Sequence, residues 1–165
     1  MADERRNARL GGPGRPGGPG GMTEEYSFSE NLGYLLNRCA GQMAMRFQQE
    51  LDPFGISLAQ WGAMLAINER GSASPSDVAA RVGIDRGATS RLIARMEAKG
   101  LVERRMHDDD GRSVVLFLSS AAQANMPDLI ARSKRVNRDV LALLPEDDGK
   151  ALLASLSRLI DVLQD

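Results

Sequence analysis

The 165-residue sequence predicts a mainly α-helical fold that carries one small β-hairpin. Apolar residues recur at three- and four-residue spacing over most of the chain after Ser27. Ser, Asp and Pro start signals alternate with Gly stop signals. A single β-branched run, Ser113–Leu118, follows the turn-forming segment Asp108-Asp109-Asp110-Gly111.

Residues 1–22 hold seven glycines and three prolines between Gly11 and Gly21, and read as a disordered tail. With no apolar middle, the tail does not read as a signal peptide. Its four arginines against two acids give it a charge of +2; a passive tail is the expected reading, with contact to DNA phosphates the alternative. Ser27-Phe28-Ser29-Glu30 then fits a capping box, and Leu32, Leu35, Leu36, Cys39, Met43, Phe47 and Leu51 form one helical stripe. Asp52-Pro53-Phe54-Gly55 ends that helix. A second box, Ser57 to Gln60, starts a helix carrying Leu58, Trp61, Met64 and Leu65 that stops at Gly71. Ser74-Pro75-Ser76-Asp77 starts a short helix through Val82, with proline at the first helical position. Asp85 caps the next helix, residues 86–99.

Two helices joined by a tight glycine turn are a helix-turn-helix pattern. The second should bury Thr89, Leu92, Ile93 and Met96 and expose Arg86, Ser90, Arg91, Arg95 and Lys99. The strands Leu101–Met106 and Ser113–Leu118 add a wing, with Val114, Leu116 and Leu118 on one face. Ser119 and Ser120 cap a long helix to about Leu144, which Pro127 is placed to bend. Glu146, Asp147 and Asp148 open a last helix at its positive dipole end, with Leu152, Leu156, Leu159 and Leu163 in a coiled-coil-like row. The expected organisation is a tail (1–22), an N-terminal helix for dimerisation and a pocket (23–56), a winged helix-turn-helix lobe (57–119) and C-terminal dimerisation helices (120–165).

The single histidine, His107, and single cysteine, Cys39, leave no His-based metal site or His-containing triad within one chain. No paired nucleophile and base and no phosphate-cradling loop appears, so neither a cofactor nor an enzymatic activity is expected. No apolar run reaches 18 residues, so no membrane partner is expected. The lone cysteine suits a reducing, cytoplasmic setting. The formal net charge of −1 conceals a partition: residues 23–56 carry two bases against five acids, and residues 86–112 carry seven bases against five acids. A basic reading head is thus averaged with an acidic body.

A helix fits the major groove of B-DNA, where arginine grips guanine or holds phosphate. Arg86, Ser90, Arg91 and Arg95 project from the second helix of the motif. Arg104 and Arg105 lie on the first wing strand, and Arg112 lies at the tip, where it can enter a minor groove. Asp110 is placed to pair with Arg91, Arg95 or Arg112 and orient it. The expected partner is a double-stranded operator.

The stretch IDRGATSRLIARMEAKGLVERRMHDDDGRSVVLFLSS, residues 84–120, resembles the MarR family of transcription regulators. The likeness runs through the recognition helix, the Lys99-to-Arg104 segment leading into the strand, the Asp-x-Arg wing of Asp110 and Arg112, and the helix start after the wing. At that last junction the family often has Leu-Thr; this chain has Leu118-Ser119. The likeness extends over about Ser29 to Leu163. It implies a homodimer built by the first and last two helices on a pseudo-palindromic operator, usually a repressor released by a ligand.

Two signals compete for the release step. The organic-hydroperoxide branch of the family suggests a redox-sensing repressor using Cys39. That residue lies in the apolar repeat, however, so a buried thiol is expected. Alternatively, a small molecule binds. Six of the seven aromatics lie between Tyr26 and Trp61, and Arg38 and Arg46 are the only bases between residues 23 and 69. LGYLLNR, residues 32–38, resembles regulators of hydroxycinnamate and other aromatic-acid catabolism. Tyr34, Arg38, Arg46, Phe47 and Trp61 are therefore the expected ligand-binding residues, for an aromatic acid or its coenzyme A thioester. A winged-helix protein–protein adaptor is the remaining alternative.

Overall fold

The computed structural model describes residues 27–106 and 114–164. They fall into two units, one ending at Leu36 and one running from Asn37 onward. Six α-helices and one hairpin follow in the expected order: α1 Leu32–Leu51, α2 Leu58–Arg70, α3 Pro75–Val82, α4 Arg86–Ala98, β1 Val102–Met106, β2 Val114–Leu118, α5 Ser120–Leu141 and α6 Glu146–Gln164.

Local chemistry explains most boundaries. Ser57 and Gln60 form a reciprocal capping box at α2, and Ser74 and Asp77 form another at α3. The Asp85 carboxylate accepts from the Ala88 amide at 2.8 Å, and the Ser119 hydroxyl accepts from Ala122 at 3.1 Å. Gly83 ends α3 with φ +72°, a conformation that side chains with a Cβ resist.

Two boundaries differ from expectation. Ser27-Phe28-Ser29-Glu30 does not open α1. Ser27 accepts from Ser29 at 3.2 Å and closes a separate 3₁₀ turn, Phe28–Glu30. The side chain of Asn31 instead caps α1, accepting from the Tyr34 amide at 2.9 Å. At the other end, α5 stops at Leu141 with Ala142 as its cap, short of Leu144. It runs through Pro127 as one helix, because a proline there costs one backbone donor and leaves the other bonds of the helix in place.

The core lies between α2, α3, α4, the hairpin and the first half of α5. Trp61, Met64, Ile67, Val78, Leu92, Ile93, Met96, Leu116 and Leu129 are buried there. The hairpin is antiparallel, pairing Val102 with Leu118 and Arg104 with Leu116. Ala73, between α2 and α3, adds a one-residue bridge by exchanging two backbone bonds with Leu116 at 3.1 and 2.9 Å. This bridge fastens the wing base to the helix-turn-helix, and a single residue leaves no periodic signal in the sequence.

Within the second unit, α1 and α5 are joined by charge. Glu50 accepts from Arg135 at 2.6 Å and from Arg132 at 3.2 Å, while Arg132 also donates to Asp128 at 3.2 Å and stands 5.2 Å over the Phe54 ring. The Arg135 hydrogen bond is the main reason the Glu50 carboxyl sits below the ordinary glutamate range, and partial burial opposes it. A depressed folded-state pKa supplies stability above the unfolded value and loses it as pH falls through the folded one. The difference in Tm between the wild type and Glu50→Gln should therefore be full above pH 4.5 and shrink below it. A difference independent of pH would show that the carboxylate charge contributes nothing.

Apolar residues remain outside the core. Leu32, Leu35 and Leu36 of α1 are exposed, and α6 buries no hydrophobic side chain; Leu152, Leu153, Leu159, Ile160 and Leu163 all stand exposed. Cys39 is exposed too, which corrects the expectation of a buried thiol. Its helical repeat marks a face suited to burial, but Leu51 is the one residue of α1 that the single chain buries. Among the described residues no helix is long and apolar enough to cross a membrane.

Candidate nucleic-acid interface

Helix α4 buries Thr89, Leu92, Ile93 and Met96, as its spacing predicts. At 100° per residue, the opposite face has Gly87, Ala94 and Ala98 along its centre. Arg86 and Ser90 flank this line on one side, and Arg91 and Arg95 on the other; all four are exposed. Long cationic arms around a low, small-residue ridge allow the helix backbone to approach a groove floor while the guanidiniums reach past it.

The first turn is preorganised. The Asp85 carboxyl is held below the ordinary aspartate range chiefly by the Ala88 amide, then by the Gly87 amide and the charge of Arg91, against some burial. A Cβ on Gly87 would stand 3.2 Å from the Asp85 carboxylate and 3.5 Å from the Arg91 guanidinium. Glycine at this position lets the Arg91 head lie close to the cap.

The flank of Arg86 and Ser90 faces a groove of about 580 Å³ that Ser74, Ser76, Arg104 and Val114 also line. Arg86, Ser90 and Arg104 are thereby brought together, and Arg91 and Arg95 stand apart from them. The Ser74 and Ser76 walls were not anticipated; their spacing marks only a helix start.

The two strand arginines have protein partners. Arg104 makes a two-pronged pair with Glu97, at 3.2 and 2.9 Å. Arg105 donates to Glu103 at 2.9 Å and stacks 4.6 Å over Phe117. Both pairs are partly exposed, so each holds its arginine weakly and leaves it competent to meet phosphate. Lys99 is exposed, as expected; it forms the C-terminal cap of α4, and its ammonium donates to the Gly55 carbonyl at 2.6 Å. His107, Asp110 and Arg112 lie outside the described residues.

The expected ligand-binding residues differ in exposure. Tyr34 lies in the first unit, its ring 4.9 Å from Phe28. In the second, Arg38 and Arg46 are exposed on α1 and Phe47 is half-buried. Trp61 is 4 % exposed within the core of the winged lobe. Two further clefts are lined by other residues: one of about 540 Å³ by Arg138, Leu141, Leu144, Lys150 and Leu153, and one of about 400 Å³ by Arg70, Asp77, Arg81 and Ile160.

Residues 54–113 match the MarR family model. The chain is 21 % identical over 136 residues to the HTH-type transcriptional repressor NicR of Pseudomonas putida, covering 82 % of this chain and 86 % of that protein. Among solved structures it is similar to BpsR of Bordetella bronchiseptica, whose DNA binding is regulated by 6-hydroxynicotinic acid. That match has a TM-score of 0.75 and 24 % identity, over 82 % of this chain and 97 % of the other. It is also similar to CouR of Rhodococcus jostii RHA1 bound to p-coumaroyl-CoA, with a TM-score of 0.72 and 21 % identity over 81 % and 94 % of the two chains. At these identities the solved structures speak for the fold.

Proposed function

We propose that the chain, whose residues 54–113 match the MarR family model, is a homodimeric repressor that leaves a two-fold operator when a small aromatic carboxylate or its coenzyme A thioester binds. The observation that carries the DNA-reading part is the exposed arginine set of α4, Arg86, Arg91 and Arg95, around a ridge of small residues. Arg104, Arg105 and Arg112 supply wing contacts, and Asp110 orients the wing arginine. Selection from a random-sequence duplex pool, followed by salt titration of the enriched duplex, tests this reading. A steep fall in affinity with salt is expected for a protein that displaces counterions from phosphates. A protein adaptor would enrich no sequence and show no such slope.

The effector class is supported by the aromatic acid and the thioester named for the two structural relatives, together with the cations of α1, Arg38 and Arg46. Both are on the solvent side of their helix, with half-buried Phe47 one residue after Arg46. A guanidinium suits a carboxylate or phosphate, and an aromatic face suits a planar ring. The probes are 6-hydroxynicotinic acid and p-coumaroyl-CoA. A probe binding only the folded protein should raise its stability, by about 2.7 kcal/mol at a hundredfold excess over Kd. Arg38→Ala or Arg46→Ala should raise the probe concentration that releases operator DNA. If neither probe raises Tm the effector class is wrong, and if both variants release normally the anion site lies elsewhere. The exposed Cys39 keeps a redox alternative in view, which loss of release in Cys39→Ser would favour.

A further inference from the structure

We infer that Lys99 is a positioning residue for DNA reading, the last link of a polar relay from α1 through the α1–α2 corner to the C-terminal end of α4. The inference rests on the DNA-reading proposal above and adds to it a device that sets the angle of the reading helix.

The relay begins at Gln48, in the last full turn of α1. Its amide nitrogen donates to the Ile56 carbonyl at 3.0 Å and to Asp52 at 2.7 Å. Its amide oxygen accepts from the Leu58 backbone at 3.1 Å, satisfying one of the free amides at the start of α2. One side chain thus fixes both strands of the corner. Gly55 at its apex has φ +63°, so the turn directs its carbonyl in a way few other residues allow. Gln60 is the neighbouring hub: it is 3 % exposed, and its side-chain oxygen accepts from Ser57 at 3.0 Å.

Lys99 reaches both acceptors. Its ammonium donates to the Gly55 carbonyl at 2.6 Å and to the Gln60 oxygen at 3.3 Å, across 44 and 39 residues of sequence. It is also the cap of α4, its own amide donating to Arg95 at 3.1 Å. The next carbonyl, Gly100, accepts from the Ser119 hydroxyl at 2.6 Å. The far end of the reading helix is thereby tied to the α1–α2 corner and to the start of α5, beside the Glu97–Arg104 pair that ties it to the wing. A cation at a helix C-terminus is favoured by the dipole, so the tether costs the helix nothing locally. Release of the first of these ties frees α4 to change pitch, which moves every arginine on its outer face against DNA. Because Gln48 grips the same corner, a shift of α1 reaches α4 through these bonds.

The test uses the full chain and the duplex that the wild type enriches from a random pool. Lys99→Met keeps the aliphatic stem and removes the donor. It should lower operator affinity roughly fivefold, the scale of one charge-assisted bond at a partly exposed site, with the salt slope and the affinity for unrelated duplex unchanged. Lys99→Arg, which still reaches the corner, should restore binding. Gln48→Met combined with Lys99→Met should weaken binding no further than the stronger single variant, because one relay can be cut only once.

A salt slope lowered by about one in Lys99→Met would make Lys99 a phosphate ligand and overturn the inference. Equal losses on operator and unrelated duplex, additive losses in the double variant, or no loss at all would overturn it as well. A wild type that enriches no duplex would instead remove the DNA-reading proposal, and this inference with it.

Discussion

Arg91→Ala and Arg95→Ala should each weaken operator binding by about tenfold to a hundredfold, the range for losing a bidentate arginine contact to a base or phosphate. Among the described residues neither side chain forms a salt bridge, although the charge of Arg91 acts on Asp85. Arg104→Ala should cost less. Its guanidinium is shared with Glu97 at 3.2 and 2.9 Å, and DNA gains only what that pair gives up. The mode of contact is separable in the same titrations. An arginine reading a guanine relaxes sequence choice when removed, whereas one holding phosphate lowers the salt slope by about one and leaves choice intact. Retained affinity and retained choice in both Arg91→Ala and Arg95→Ala would end the assignment of α4 as the reading helix. Fluorescence anisotropy with operator and scrambled duplexes at several salt concentrations gives all three quantities.

What the sequence disclosed follows the range of each interaction. N-caps at Ser57, Ser74, Asp85 and Ser119 are settled by bonds spanning three residues, so local spacing was enough to place them. The buried set Thr89, Leu92, Ile93 and Met96 was legible because one helix face packs on one core. Lys99 is exposed as the helical wheel predicts, but its bonds were not legible in local spacing. The chain leaves the helix there, and the ammonium finds acceptors 39 and 44 residues away. Aromatic clustering between Phe28 and Trp61 did not by itself mark a ligand site: Trp61 is in the core, and Phe54 packs against that core beneath Arg132. Cys39 shows the complementary limit, since periodicity states that a stripe suits burial without stating what buries it.

The uncovered face of α6 leads to the other large effect. Leu152, Leu156, Leu159 and Leu163 lie within about 60° of one another on the helix, a narrow seam of the kind that pairs helices. Leu163 is 80 % exposed and Leu159 is 37 % exposed, and no α6 residue belongs to the buried core cluster. A second copy of the chain, related by a two-fold axis, is the occupant that the proposed operator symmetry requires. Leu159→Glu with Leu163→Glu places two charges on the seam and nothing into the core. The winged lobe should keep its helical circular dichroism, while sedimentation should show a monomer at concentrations where the wild type is expected to sediment as a dimer. Operator affinity should then fall by about a hundredfold or more, because the second half-site no longer binds at the high effective concentration that tethering provides. Each lobe retains its arginines, so weak, salt-sensitive binding to unrelated duplex should persist. A double variant that sediments as a dimer and holds the operator at full affinity would show that the α6 seam joins no second copy.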